Sequence, residues 1–205
     1  GVLLTDTGTI ANTLTANTMR NNALTGVLIS NGATANILGA DNTLRNNGTH
    51  GVEIIGTGTN NNTVTQNTIR NNTLDGISVG VDVLEDVTGN LITQNQIFQN
   101  LAQGIDLGNN GRSANDAGDP DPGPNLRQNF PVLEFGIDNG TNTFIVGRLD
   151  SVPANEPFNL EYFIVDPSNI VGDPGQGRDF FAAATTNNAP VSAVLANLPT
   201  GLSGE

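Results

Sequence analysis

The sequence predicts an all-β protein: a three-sided parallel β-helix of about five coils, then a small Ig-like β-sandwich. Three observations predict it. Glycine followed by an apolar residue recurs at Gly1-Val2, Gly26-Val27, Gly51-Val52, Gly76-Ile77 and Gly104-Ile105, at intervals of 25, 25, 25 and 28 residues. Asparagines keep the same phase, Asn17, Asn42, Asn67 and Asn95 forming one column and Asn22, Asn47, Asn72 and Asn100 another. After Phe130 the phase disappears while prolines and aromatic residues increase, which marks a change of domain.

Each coil reads as three short strands. Two positions beyond the Gly-Val or Gly-Ile residue stands a second apolar residue, Leu4, Ile29, Ile54, Val79 or Leu107, the period-2 alternation of a strand with one buried face. Met19, Leu44, Ile69 and Ile97 supply a second apolar column, and Leu14, Leu38, Val64 and Ile92 a third. A coil of this size cannot bury its own side chains, but coils stacked about 4.8 Å apart make a continuous core and pair every strand with the next. Burial of each inward aliphatic side chain contributes roughly 1.5–3 kcal/mol, so these columns hold the stack. The asparagines belong at the corners, where side-chain amides can bond from coil to coil.

The predicted domains are a β-helix over 1–107, an acidic Pro/Gly junction loop over 108–130 and a β-sandwich over 131–205. In the last part, 143–149, 158–165, 179–186 and 191–198 read as strands between proline, glycine and asparagine turns. The sandwich is expected to lack a closing strand, and the first coil to present an open edge, so self-association or filament formation through uncovered β-edges is an expected partnership.

Composition narrows the function classes. The net charge of −13, with seven arginines and no lysine, lacks the basic footprint needed for phosphate backbones, so no nucleic-acid partner is expected. No apolar run is long enough to cross a membrane, so no membrane insertion is expected, and the absence of cysteine leaves no thiolate chemistry.

Four constellations carry candidate chemistry. Asp116, Asp119 and Asp121 in the junction loop, with Asp106 and Asn109 just upstream, can point several oxygens at one centre, the ligand type Ca²⁺ takes, although an acidic solvated linker stiffened by Pro120, Pro122 and Pro124 has the same composition. Arg20, Arg45 and Arg70 share one column, where like charges one coil apart repel by about 1 kcal/mol per pair even in water. An anionic glycan or sulfate bound along them would offset that cost, as would guanidinium stacking, solvent or neighbouring carboxylates. His50 and Asp75 occupy equivalent positions in successive coils, with Glu53 close by, the minimum for general acid–base catalysis. A single histidine in a column otherwise filled by Thr25 and Gln103 is more often decoration of a turn. Glu53 and Asp106 share a column with Ser78 between them, about 10 Å apart by coil spacing, near the upper limit for an inverting carboxylate pair. The only lengthened coil contains 81–89 with Asp82, Glu85 and Asp86, and a cleft is expected beside that insertion.

The repeat, as in Thr63-Val64-Thr65-Gln66-Asn67-Thr68-Ile69-Arg70-Asn71-Asn72, resembles that of the right-handed parallel β-helix repeat proteins of bacterial surfaces. The closing segment is more specific. Gly104-Ile105-Asp106-Leu107-Gly108, Asn115-Asp116-Ala117-Gly118-Asp119, Gly123-Pro124-Asn125 and Gln128-Asn129-Phe130-Pro131-Val132-Leu133 look like the junction such proteins place between the last coil and a following sandwich. The resemblance implies a right-handed helix, an extracellular or cell-surface location in bacteria, and a structural or adhesive role without catalysis. The alternative it implies is a carbohydrate-active β-helix that binds, lyses or hydrolyses an extracellular acidic polysaccharide. Enzymes of that fold present clusters of Asp, Arg, Lys or Tyr in a lateral cleft, whereas this chain has no lysine and its one tyrosine is Tyr162.

Overall fold

The computed structural model describes residues 1–138, 142–151, 157–165, 176–187 and 198–199. The chain divides into two compact units, one of 1–113 with 121–127 and 163–180, the other of 114–120 with 128–162 and 181–205.

The first unit is a parallel β-solenoid. Its coils contribute β1 (Val2–Thr5), β2 (Thr13–Leu14) and β3 (Thr18–Arg20); β4 (Val27–Ser30), β5 (Ile37–Leu38) and β6 (Thr43–Arg45); β7 (Val52–Ile55), β8 (Thr63–Thr65) and β9 (Thr68–Arg70); β10 (Ile77–Val79), β11 (Leu91–Thr93) and β12 (Gln96–Phe98). A thirteenth strand, β13 (Ile105–Leu107), follows. The strands stack as β1-β4-β7-β10-β13, β2-β5-β8-β11 and β3-β6-β9-β12. Register keeps each column aligned, Leu44 against Ile69 and Ile69 against Ile97. Val27, Ile29, Leu38, Leu44, Val52, Ile54, Val64, Ile69, Ile77 and Val79 form one buried cluster. The expected five coils become four. β13 extends only the first face, because no asparagine between 108 and 131 is followed two residues later by a large aliphatic residue that would begin the other two.

Corners are built from one device. Ala16, Asp41, Gln66 and Gln94 take left-handed φ values of 56, 67, 56 and 56°, which turn the chain sharply just before Asn17, Asn42, Asn67 and Asn95. A non-glycine residue in that region costs about 1–2 kcal/mol, and the asparagine that follows repays it with hydrogen bonds. Asn67 donates its backbone N–H and its Nδ2 to Asn95 Oδ1, both at 3.0 Å, and donates Nδ2 to the Leu38 carbonyl at 3.0 Å. Its Oδ1 accepts Asn42 Nδ2 at 2.9 Å, so both polar atoms of the side chain are satisfied. The corner before β10 is tight for another reason: a methyl group on Gly76 would meet Ile97 Cγ2 at 2.4 Å and the Gly104 carbonyl oxygen at 2.7 Å.

The insertion over 81–89 is tied to the coil before it. Glu85 Oε1 accepts the Gly56 N–H and Oε2 accepts the Val81 N–H, both at 2.8 Å, while Leu84 N–H donates to Asp82 Oδ1 at 2.7 Å. Two of the three carboxylates of the insertion, those of Asp82 and Glu85, thus hold the local backbone.

The second unit has no repeat. β14 (Val132–Asp138) and β15 (Asn142–Arg148) are antiparallel, with the register shifting between Leu133 and Phe135, and β18 (Leu198–Pro199) pairs with β15. β16 (Pro157–Ile164) and β17 (Asp179–Asn187) form a second, two-stranded sheet. Leu149 and Leu160 are buried with Phe158 and Tyr162 against them. These described residues give two small sheets and do not show an Ig-like sandwich. Most of the strand expected over 191–198 lies outside the described residues, and Leu198–Pro199 is strand.

Candidate functional site

Alternation along β7, β10 and β13 turns Val52, Ile54, Ile77 and Val79 into the core and leaves Glu53, Ser78 and Asp106 on the other face, in register with one another. That face is closed only in part, with Glu53 half-buried. Ser78 is fully buried and Asp106 is 4% exposed. At the corners leading into β7 and β10 stand His50 and Asp75, each 3% exposed, so the two are a buried pair and not turn decoration. His50 Nδ1 lies 3.1 Å from Asp75 Oδ2 and accepts the Asp75 backbone N–H at 3.3 Å. The other carboxylate oxygen of Asp75 accepts the Gln103 N–H at 2.7 Å.

Asp106 completes this neighbourhood. Burial pushes its carboxyl above the ordinary carboxylate range; the Gly111 N–H, 2.8 Å from Oδ2, pulls it back, and the nearby charge of Asp75 pushes it up again. Glu53 accepts the Thr25 hydroxyl at 2.9 Å. Among the described residues the Ser78 hydroxyl, which is buried, has no hydrogen-bond partner, and none of them relays it to His50. An imidazole beside a carboxylate is the core of an acid–base pair, but such a pair acts on a substrate only when one can reach it.

The three arginines keep the expected column. Arg20 pairs in register with Arg45 and Arg45 with Arg70, and Phe98 follows in the next coil. Arg20 is exposed, the other two half-buried, and the Arg70 guanidinium lies 5.9 Å from the centre of the Phe98 ring.

Of the acidic residues expected to hold calcium in the junction loop, Asp116 and Asp119 belong to the second unit and Asp121 to the first. Asp119 is 2% exposed; it accepts the Ser151 hydroxyl and the Asn129 N–H. Asp121 pairs with Arg127 at 2.7 Å. The other two residues of the expected calcium set are placed differently: Asp106 uses its oxygens on the Asn110 and Gly111 N–H groups, and Asn109 sits in a left-handed turn with φ 50°.

The structure adds residues that the repeat reading passed over. Asn12, Asn36, Asn62 and Asn90 make a third asparagine ladder, with Asn36 N–H donating to Asn62 Oδ1 and Asn62 N–H to Asn90 Oδ1, both at 2.9 Å. Two later residues extend the ladders. Asn125 Oδ1 accepts the Asn90 N–H at 3.0 Å, and Gln176 Oε1 accepts the Asn100 N–H at 2.9 Å while its Nε2 donates to the carbonyls of Asn100 and Ala102. The signal for the third ladder was present: each asparagine stands two residues before Leu14, Leu38, Val64 or Ile92, the offset that Asn67 has from Ile69.

Together the stacked coils, inward aliphatic columns and corner asparagines define a parallel β-solenoid protein. A family model described as right handed beta helix region matches residues 1–117, and the chain belongs to that family. No curated protein and no solved structure matches it.

Proposed function

We propose that the chain is a non-catalytic structural or adhesive module of a secreted bacterial cell-surface protein, in which a stiff β-helix displays flat, hydrogen-bonding faces. One observation carries the reading: the sole histidine and its carboxylate partner are each only 3% exposed, so the best acid–base pair of the chain is shut into the wall. An enzyme acting on a polymer needs convergent ionisable groups in a groove. Membership of the β-helix family and the resemblance of the junction to that of surface proteins support the same reading, with the second half taken as an Ig-like sandwich.

The test is a depolymerisation assay of the full chain on polygalacturonate, alginate and hyaluronan. No unsaturated or reducing sugar should be released. Release that vanishes in His50→Gln or Asp75→Asn would overturn the proposal in favour of a carbohydrate-processing enzyme.

A further inference from the structure

Arg20, Arg45 and Arg70 lie in register on neighbouring strands, so their side chains leave one face at the strand spacing of about 4.8 Å. Elsewhere in the chain, Arg127, Arg148 and Arg178 each approach a carboxylate, at 2.7, 3.9 and 2.9 Å. None of the three in the column has an ion-pair partner among the described residues. The chain has twenty acidic residues, yet none stands on β3, β6, β9 or β12. Beside the arginines on the same outward face are Thr18, Thr43, Thr68 and Gln96, all neutral hydrogen-bonding groups. A protein of net charge −13 thus carries on these four strands three arginines and no carboxylate.

We infer that the strip these arginines form binds an anionic polysaccharide laid along the β-helix axis. Regular spacing selects a polymer: the coil repeat is close to the length of one sugar ring, so successive acidic groups can meet successive guanidinium groups. The guanidinium fork matches a carboxylate or a sulfate ester with two parallel hydrogen bonds. Threonine and glutamine suit the sugar hydroxyls, and Phe98 at the end of the column gives a ring face for sugar C–H groups, with Arg70 held over it. The net charge of −13 opposes any long polyanion outside the strip, so the preference for a polysaccharide over nucleic acid rests on the neutral hydrogen-bonding residues beside the arginines. This inference rests on the adhesive reading above and gives it a ligand class.

The experiment titrates the full chain with polygalacturonate, a sulfated glycosaminoglycan, fully methyl-esterified polygalacturonate and a single-stranded oligodeoxynucleotide, at low and at physiological salt. An acidic polysaccharide should bind, the neutral ester should not, and affinity should fall as salt rises. Replacing Arg20, Arg45 and Arg70 together by glutamine should weaken binding at least about tenfold, leaving circular dichroism unchanged and the melting midpoint no lower than the parent's. If the triple variant loses its fold, Arg20→Gln alone, at the exposed end, should still weaken binding severalfold. The inference fails if these variants bind like the parent, if the ester binds equally, if neither acidic polymer binds, or if only the oligonucleotide does. Cleavage of a bound polymer would overturn the non-catalytic reading while leaving the strip standing; absence of both binding and cleavage would remove the strip alone.

Discussion

The two units reach their hydrogen-bond balance by opposite means. In the β-helix each side chain meets the counterpart of itself one coil away, so a single good solution, an asparagine after a left-handed residue, serves at every corner. In the second unit each bond is particular: Asn115 closes on Phe130, Asn129 bridges Asp116 and Asp150, and Ser151 caps Asp119. Repetition therefore makes the first unit legible and also selective, since a residue that cannot stand beside its own copy is excluded unless something else accommodates it.

The largest test of this contrast is Ile69→Asp. Ile69 is fully buried between Leu44 and Ile97, and an unpaired carboxylate there should cost about 4 kcal/mol or more. Far-ultraviolet circular dichroism should show loss of the solenoid, and a native urea midpoint would refute the stacked core. Next comes Asn72→Ala, which leaves the Asn47 N–H and Nδ2 without their acceptor, at 3.1 and 2.9 Å, and should cost roughly 1–3 kcal/mol. Hydrogen exchange should quicken in the coils on both sides of it, whereas Asn129→Ala should quicken exchange only around 115–130 and 150–151. Equal, local effects would break the comparison.

The smallest effect concerns Asp106. Its raised carboxyl means that the folded chain holds this proton more tightly than the unfolded one, so ionised Asp106 weakens the fold above its folded titration point. That penalty fades as the pH falls toward the ordinary carboxylate range. Asp106→Asn removes it, so the gap in melting midpoint between variant and parent should shift in the variant's favour from acid to neutral pH. A gap that does not change with pH would show that the carboxyl is not perturbed.

Phase made the fold readable. The aliphatic columns, two asparagine ladders and the arginine column all follow from residues recurring at a fixed offset, and the structure puts each in register. The third asparagine ladder was harder, because Asn12, Asn36, Asn62 and Asn90 drift by 24, 26 and 28 residues and their constancy lies in the offset to the next aliphatic residue. Counting glycines gave one coil too many, since Gly104 begins a strand whose coil never forms. The site was half legible: spacing paired His50 with Asp75, but alternation gives only the side of the strand and not what covers it, so the burial of Ser78 and Asp106 was invisible. Gln176 lies 76 residues beyond Asn100 and belongs to no repeat, so nothing local announces it.

The asparagine ladders also have a direction. At each step the earlier coil donates and the later one accepts, from Asn22 through Asn47 and Asn72 to Asn100, so the amide dipoles line up head to tail. Every step offers the same acceptor on one side and the same donors on the other. A duplicated coil could therefore slip between any two existing ones without rewriting its neighbours, which makes the length of such a rod easy to change by gene duplication while its polarity stays constant.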